Sequence, residues 1–316
     1  MPVRGTEIRR AWSFLAPGSI RLEHVRTTTT LAADGGGVMV APGDRPLTVI
    51  DAAKRRPAVE LGELWRARET ALTFAWRDVK VRYKQSLIGI AWAILQPLLT
   101  MVVFTIIFGK FAKFPSQGLP YQVFVYTGLL PWTFFSSALS QTAGSVLANR
   151  QLVQKVYFPR LILPLSAVLV PAIDFLFSLV VLAGIMAWYD IGLHLTVLLA
   201  PVFLLLLALT ALGVGAVLAT INVRYRDVPY AIPFLIQTWL YVSPVIYGFG
   251  SLPHKWQVIL SLNPVVAGIT GFRWALVGTP APSLLELLLG LPSAVVMVVA
   301  GFIVFRRFET RFADTM

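Results

Sequence analysis

The chain has 316 residues, of which 57% are hydrophobic and only 13% are charged, and its formal net charge is +12. A water-soluble domain of this size needs more charged surface, and several runs reach the ~20 apolar residues that a spanning helix requires. The composition therefore excludes a soluble domain and predicts an all-α polytopic membrane protein. The sequence contains 0 cysteines, which excludes a disulfide framework, zinc–thiolate sites and iron–sulfur clusters. In a membrane protein, basic residues first indicate which loops face the cytoplasm. The net positive charge is therefore no sign of nucleic-acid binding, and we predict no nucleic-acid partner.

Residues 1–58 differ in composition from the remainder of the chain. Thr, Gly and Pro cluster there and aromatic residues are few. Such a stretch buries too little apolar area to order itself, so we predict a disordered tail. A tail that binds a partner or touches lipid is the alternative. No sustained apolar core follows the early arginines, so a cleaved signal peptide is not expected.

Residues 59–86 carry a helical pattern before the first apolar run. Leu72, Ala75 and Trp76 fall near one face at i, i+3 and i+4 spacing, and Arg77 and Lys80 fall on another. A basic face beside an apolar, tryptophan-bearing one predicts a helix that lies in the headgroup plane. An ordinary soluble helix that packs on a neighbour is the alternative.

Six apolar runs then predict six transmembrane helices in each protomer. Their expected ranges are 87–109, 121–147, 161–189, 195–221, 230–249 and 284–305. Residues 251–283 are apolar but interrupted by Pro and Asn, which predicts short re-entrant helices between the fifth and sixth spans. An additional pair of spans is the competing topology. Basic residues concentrate in alternate loops, so the positive-inside rule places both termini in the cytoplasm.

Several kinds of chemistry lack a signal in this sequence. No phosphate-binding loop of the G-x-x-x-x-G-K type is present, so the chain is not expected to bind ATP in that way. The three histidines are scattered, so we predict neither a metal site nor another cofactor. The segment GVGAVLA, Gly213–Ala219, lies inside an apolar span and predicts close helix packing. Asp174 and Glu286 are isolated membrane acids, and we interpret Asp174 as a structural hydrogen-bonding residue, with proton coupling as the alternative.

Aromatic residues crowd the first, second and fifth predicted spans. Aromatic rings stack on the C–H faces of sugars, and their polar edges bind hydroxyls, so a channel lined by them could hold a glycan loosely. Anchoring at the membrane interface explains Tyr121, Tyr126, Tyr247 and Trp256, but it explains mid-span aromatics such as Trp239 less well. The predicted channel-lining residues are Trp92, Phe104, Phe108, Phe124, Trp132, Phe135, Trp239 and Tyr241.

Four segments together resemble one family of transporters. The segment DVKVRYKQSLIGIAWAILQP, Asp78–Pro97, is similar to the entry of the first span in ABC-2 type permeases that export polysaccharides such as O-antigen, capsule and teichoic acid. The resemblance continues through Tyr126–Pro164, Asn222–Tyr247 and Leu262–Leu276, in the same order. The resemblance covers about residues 60–310. It implies that residues 87–316 form the transmembrane domain of the family.

The resemblance implies a transport subunit of the bacterial inner membrane that is not itself an enzyme. It would form a homodimer, driven by a separate cytoplasmic nucleotide-binding subunit that holds ATP and Mg²⁺. Residues 78–86 would form the gate region, and Asn149–Arg160 would be the coupling helix that docks in the ATPase. The coupling residues would include Gln154, Lys155, Tyr157, Phe158 and Arg160.

The substrates of such exporters are glycans on a lipid pyrophosphate carrier. Arg82 and Lys84, with Arg77, could receive that anionic group where the first span enters the bilayer. Simple retention of positive charge on the inner side is the alternative. Two other functions stay open: an ABC-2 permease for a small lipid or drug, and an enzyme acting on a polyprenyl carrier. The second lacks the expected cluster of carboxylates.

Overall fold

The structure is a computed structural model that describes residues 67–84, 89–156, 158–225 and 227–309, together with Gly62, Trp65 and Phe312. Within these residues the chain forms eleven α-helices and no strand. The predicted tail, 1–58, and both chain termini lie outside the described residues.

The helices follow one another with short connections. Their bounds are α1 Arg68–Lys84, α2 Gly89–Phe104, α3 Tyr121–Ala148, α4 Arg150–Lys155, α5 Ile162–Ala167, α6 Leu169–Trp188, α7 Ala200–Arg224, α8 Val228–Val242, α9 His254–Ser261, α10 Pro264–Val277 and α11 Leu284–Glu309. A π-helical segment, Thr105–Phe111, extends α2, and a 3₁₀ turn, Leu195–Leu199, precedes α7.

Within the described residues, five helical segments, or six if one bent helix pair counts as a single span, are long and apolar enough to cross a membrane. The bounds of the five are Ala91–Phe111, Tyr121–Ala148, Ile162–Trp188, Leu195–Arg224 and Leu284–Glu309. They correspond to the first four predicted spans and the sixth. The prediction of an all-α polytopic membrane protein is confirmed.

The fifth predicted span is shorter than expected. Helix α8 ends at Val242 after 15 residues, a length of about 22 Å at 1.5 Å per residue, whereas the hydrocarbon core is about 30 Å thick. It ends there because Pro244 disfavours helical dihedrals in the residue before it, and Ser243 is extended, with ψ of 143°. The predicted continuation of this helix to residue 249 is wrong.

Two short helices follow the fifth predicted span, as expected, and their re-entrant course stays a prediction. Helices α9 and α10 meet at a bend of 104°. Asn263 caps α10, because its side chain accepts a hydrogen bond from the backbone N–H of Val265 at 3.1 Å, and Pro264 occupies the first turn. Nearly all of α10 is buried against α3, α7 and α11.

Helix α3 forms the centre of the bundle. Its apolar window is 78% buried, against 11–39% for the other spans, and α7 packs along it. Helix α11 packs on α7 through small residues: a Cβ added at Gly301 would lie 2.1 Å from the carbonyl oxygen of Gly213. The close helix packing predicted for Gly213–Ala219 is therefore confirmed.

Helix α1 packs against α5 and α6 by one face. Ala75 on that face is buried, whereas Leu72 and Trp76 are 60% and 59% exposed. The prediction of a single apolar face that includes all three residues is wrong, because contact with the bundle divides the apolar residues between a protein-facing and an exposed side. The exposed side keeps the apolar and aromatic character expected of an interfacial helix.

Candidate functional site

A cavity of about 500 Å³ lies where α1 crosses the end of α3 and the α5–α6 segment. Arg77 and Arg82 line it from α1, and Gln141, Ser145 and Asn149 line it from the end of α3. Two of the three predicted loading residues therefore meet in one cavity. Lys84, the third, is exposed at the last residue of α1 and does not line it. We call this space the mouth cavity.

Arg77 is fixed by three hydrogen bonds. Its Nε and Nη2 donate to Asp78 Oδ1 at 2.9 and 2.8 Å, and Nη2 also donates to Asn149 Oδ1 at 2.7 Å. The guanidinium lies 5.3 Å from the ring centroid of Phe74, within the range of a cation–π contact. Arg77 therefore joins α1 to the junction between α3 and α4.

Arg82 is paired with the acid inside the third span. Its Nη2 lies 2.6 Å from Asp174 Oδ2, and the Tyr83 hydroxyl donates to Asp174 Oδ1. Burial, together with the hydrogen bond to Asp174, raises the pKa of the Tyr83 phenol above its ordinary value, so the phenol stays a donor. The interpretation of Asp174 as a hydrogen-bonding residue agrees with these contacts. Its ion pair with Arg82 was not predicted.

A stripe of polar side chains runs along α3 from the mouth cavity into the span. Its members recur at intervals of three or four residues along the helix, in part as adjacent pairs, so they share one helical face. These residues are half-buried or exposed, whereas most of α3 is buried. The stripe consists of Thr133, Ser136, Ser137, Ser140 and Gln141.

The polar stripe connects two cavities. Gln141 lines the mouth cavity, and it also lines a second cavity of about 370 Å³ together with Ser136, Ser137 and Ser140. Gln237 of α8 faces the stripe across that second cavity. A continuous polar surface therefore leads from the two arginines along the uncovered face of α3.

The hydroxyls of the polar stripe leave acceptor capacity available. Thr133 and Ser136 donate to carbonyls of their own helix at 2.9 and 3.1 Å, which leaves lone pairs on each oxygen. Ser137, Ser140 and Gln141 make no side-chain hydrogen bond to any residue that the structure describes. Polar groups facing hydrocarbon are costly, so this surface suits water or a hydroxylated ligand.

Sequence reasoning missed the polar stripe, although a signal was present. The segment Ser136–Gln141, SSALSQ, places three hydroxyls and an amide at helical spacing inside an apolar run. Which face of the helix is left uncovered depends on tertiary packing, and only the structure supplies it.

Three of the eight predicted channel-lining aromatics are buried in the protomer. Phe124 and Phe135 are 0% exposed and Trp132 is 5% exposed. Phe135 packs on Trp239 with ring centroids 5.2 Å apart, and the guanidinium of Arg273 lies 4.0 Å from the ring centroid of Phe124. The prediction that these three rings line a channel is wrong for this conformation, because the central helix uses them to fill the core.

The other five predicted aromatics do not converge on one surface. Trp92 and Tyr241 are 56% and 59% exposed on α2 and α8. Phe104 and Phe108 are half-buried and pack edge-on, with ring centroids 5.6 Å apart, and Trp239 is also half-buried. Channel lining by these five side chains stays a prediction.

The predicted coupling helix begins with the short helix α4. Gln154 and Lys155 are exposed at its end, while Val153 is buried and anchors it to the bundle. An exposed, polar helix held by one apolar anchor can present its surface to another protein. Tyr157 lies outside the described residues.

The residues after α4 contact the interfacial helix. Phe158 packs edge-on against Phe74 of α1, with ring centroids 5.5 Å apart. Arg160 is half-buried nearby in the chain. We call α1 the loading helix, because it carries the three predicted loading residues. The coupling segment is therefore in direct contact with the loading helix.

Comparison with known proteins is consistent with this architecture. The family model for the ABC-2 type transporter matches residues 70–277, which include α1 through α10 almost completely. The "O-antigen export system permease protein RfbA" of Klebsiella pneumoniae is 28% identical over 242 residues, covering 76% of this chain and 92% of the relative. The protein of the same name from Myxococcus xanthus is 28% identical over 257 residues, covering 80% and 98%.

A relative of lower identity is named for the transport of polysialic acid. The "Polysialic acid transport protein KpsM" of Escherichia coli is 23% identical over 200 residues, covering 60% of this chain and 74% of the relative. The resemblance predicted from the motifs is confirmed by these similarities. The family match extends over most of the bundle, including the mouth cavity, the polar stripe and helices α9 and α10. This chain therefore belongs to the ABC-2 type transporter family of membrane permeases.

Proposed function

We propose that this chain is the transmembrane permease subunit of an ATP-driven exporter of lipid-linked polysaccharide. The cargo would be an O-antigen-like glycan on polyprenyl pyrophosphate, moved from the cytoplasmic to the outer side of the inner membrane. The observation that carries this proposal is the continuity of the mouth cavity with the polar stripe on α3. The names of the relatives, O-antigen export and polysialic acid transport, support the same cargo class.

The mouth cavity has the chemistry that a pyrophosphate requires. Arg77 and Arg82 present planar guanidinium groups, which bind phosphate oxygens through paired hydrogen bonds. Lys84 lies at the end of the same helix and adds a mobile positive charge at the approach to the cavity. An anionic headgroup would meet these three charges where the chain enters the first span.

The polar stripe has the chemistry that a sliding glycan requires. Sugar hydroxyls both donate and accept, and the serine and glutamine side chains of the stripe can exchange such bonds without holding any one unit tightly. A small lipid or drug needs an apolar enclosure, so the stripe favours the glycan over that alternative. Two copies of the chain with their stripes facing each other would enclose a polar path, which supports a homodimer.

The energy source would be a separate ATPase. The exposed end of α4, which includes Gln154 and Lys155, is the proposed docking element. Contacts from α4 and its flanks to α1 run through the pairs Asn149–Arg77 and Phe158–Phe74. Movement of the docked helix would therefore reach the loading helix directly.

The lipid contact would be made by the exposed side of α1. Trp76 lies on this side, and Lys80 Nζ is 5.6 Å from its ring centroid. Tryptophan beside lysine is the pairing expected where a helix rests among headgroups. This placement would hold the arginines of α1 at the depth of a lipid pyrophosphate.

The test of this function uses the native host. The chain is depleted, lipid-linked glycan is labelled with radioactive sugar, and the label is assigned to one side of the inner membrane. We expect accumulation on the cytoplasmic side, relieved by the intact gene. Unchanged synthesis and export would exclude a polysaccharide exporter and favour a small-lipid or drug permease. Loss of synthesis without accumulation would favour an enzyme on the carrier.

A further inference from the structure

Asp174 occupies an unusual position for an acid. It is the sixth residue of α6, inside a span whose mean hydropathy is 2.4, and its side chain is 15% exposed. Among the described residues, no other Asp or Glu lies more than one turn inside an apolar span. An ionisable residue inside an apolar span is energetically unfavourable, so we expect Asp174 to have a function.

Both oxygens of Asp174 are occupied by the last turn of α1. Arg82 pairs with Oδ2 and Tyr83 donates to Oδ1. The Tyr83 ring also packs edge-on against Phe177, one turn further along α6, with ring centroids 6.0 Å apart. These contacts hold the end of the loading helix against the third span. We call Arg82, Tyr83 and Asp174 the latch.

Arg82 lies at the boundary between two cavities. On one side is the mouth cavity, and on the other is a cavity of about 90 Å³ between α2, α3 and α6, which Thr133 and Ser136 of the polar stripe also line. Ligand pockets have volumes of about 300 Å³ or more, so this small cavity cannot admit a sugar in the present conformation. Cargo that moves from the mouth cavity along Thr133 and Ser136 of the polar stripe therefore requires the latch to open.

We propose that the phosphate of the cargo headgroup displaces Asp174 from Arg82, and that this exchange releases the end of α1 from α6. The inference rests on the proposed function and deepens it: Asp174 becomes the residue that selects cargo by headgroup charge. A neutral or weakly charged headgroup leaves the latch closed, whereas a phosphate-bearing one opens it.

The exchange follows from the charges involved. The pyrophosphate that joins lipid and glycan carries about two negative charges, one on each phosphate, and its oxygens accept paired hydrogen bonds from a guanidinium, so it outcompetes a carboxylate with a single charge. Asp174 is then left in an apolar span without its counter-ion, which is strongly unfavourable. Withdrawal of α1 lets water reach Asp174 and removes that penalty. Headgroup binding and opening are therefore coupled.

The experiment exploits the absence of cysteine from the sequence. Ala93 of α2 lines the small cavity, so Ala93→Cys places the only thiol of the chain there. The full chain is reconstituted in lipid nanodiscs, and its reaction rate with a water-soluble maleimide is measured. The lipids added are polyprenyl pyrophosphate and the uncharged polyprenol of the same length. We expect the pyrophosphate alone to accelerate labelling, on the order of tenfold.

Substitutions in the latch separate it from a general loss of structure. Asp174→Asn and Arg82→Gln should label rapidly without added lipid. The exchange Arg82→Asp with Asp174→Arg restores an ion pair across the same gap and should return labelling to the slow rate. Asp190→Asn changes an exposed acid just beyond the other end of α6 and should behave as the unsubstituted chain. Restoration by the exchanged pair excludes misfolding as the cause of rapid labelling.

Two outcomes decide between the latch and the proposed function, with glycan export measured in the host in parallel. If the chain exports glycan but Asp174→Asn labels as slowly as the unsubstituted chain, and pyrophosphate acts no differently from polyprenol, the latch is overturned and the proposed function stands. If the host exports glycan without this chain, while pyrophosphate still accelerates labelling, the polysaccharide cargo is overturned and the latch stands.

Discussion

Asn149 Oδ1 accepts a hydrogen bond from Arg77 Nη2 at 2.7 Å, although the two residues are 72 positions apart in the chain. Asn149 also donates from Nδ2 to the carbonyl of Ser145 at 2.8 Å, and it is the residue that separates α3 from α4. The side chain of this residue therefore contacts α1 and the end of the central span, and its backbone carbonyl accepts hydrogen bonds from Leu152 and Val153 of α4, the proposed ATPase-docking helix. This arrangement places cargo loading and energy coupling at a common junction.

The first prediction concerns this junction. Asn149→Leu removes the acceptor for Arg77 while keeping a side chain of similar size. A hydrogen bond to a charged group contributes about 1.5–3 kcal/mol, and partial exposure places this one at the low end, which corresponds to roughly tenfold in rate. We expect export by the reconstituted complex to fall by about that factor while ATP hydrolysis continues.

The matched control for Asn149→Leu is Asn149→Asp, which keeps Oδ1 as an acceptor for Arg77 and should retain export. ATP hydrolysis and glycan export are measured in the same vesicles, because the prediction concerns their ratio. An unchanged ratio in Asn149→Leu would show that the Arg77–Asn149 contact plays no part in coupling.

The second prediction concerns the polar stripe. Ser137→Leu combined with Ser140→Leu replaces two hydroxyls facing the second cavity with branched apolar groups. Neither serine is buried, so the fold should tolerate the change, whereas a hydrated glycan would meet an apolar surface. We expect export to fall by on the order of tenfold or more, since each lost hydrogen bond contributes about 0.5–1.5 kcal/mol.

Thr238→Leu is the control for the stripe substitutions. Thr238 is an exposed residue of α8 whose hydroxyl donates to its own helix at 2.9 Å, and it lines none of the cavities described above. Export should be unaffected by this change. Equal export by the serine double variant and the control would remove the stripe from the cargo path.

Local patterns in the sequence predicted the helices well. The range 121–147 was expected for the second span, and α3 runs from Tyr121 to Ala148, because apolar length and flanking Pro120 determine those ends. The Pro and Asn residues that interrupt 251–283 likewise predicted short helices there, and the break between α9 and α10 falls at Leu262 and Asn263. The end of α8 at Val242 was not predicted, although Pro244 indicates it. The apolar run continues past Pro244, and the prediction followed that run to residue 249.

Contacts between distant parts of the chain were not predictable in the same way. The sequence gives no register between α1 and α6, so the pairing of Arg82 with Asp174 depends on how the helices pack. The aromatic residues Phe124 and Phe135 were expected in a channel, yet burying their large apolar area stabilises the core. The polar stripe lies on the uncovered face of α3 instead. Burying its serines would remove their hydrogen bonds to water without replacing them.

The third prediction concerns the crossing of α7 and α11. Gly301→Ala places a Cβ 2.1 Å from the carbonyl oxygen of Gly213, a backbone atom that cannot move independently. Overpacking of this kind costs about 1–3 kcal/mol, so we expect a lower free energy of unfolding. Thermal unfolding in detergent, followed by tryptophan fluorescence, measures it.

Gly184→Ala is the matched control for the helix crossing. Gly184 lies inside α6, and an added Cβ meets no atom within 4 Å. Ala is favoured over Gly in a helix by about 0.5–1 kcal/mol, so this variant should be as stable as the unsubstituted chain or more stable. Equal destabilisation of both variants would contradict the close crossing.

The last prediction concerns the aromatic contact between the coupling segment and α1. Phe158 and Phe74 meet edge-on at 5.5 Å with their planes at 70°, an arrangement that contributes about 0.5–1.5 kcal/mol beyond area burial. If this contact transmits movement of the docked helix, Phe158→Ala and Phe74→Ala should each lower the glycan exported per ATP hydrolysed. The double variant should be no worse than either single one, because the second substitution has no contact left to remove. Strictly multiplicative losses in the double variant would mean that the two rings act separately. Phe158→Tyr is the control, because it keeps the aromatic ring and should therefore retain coupling.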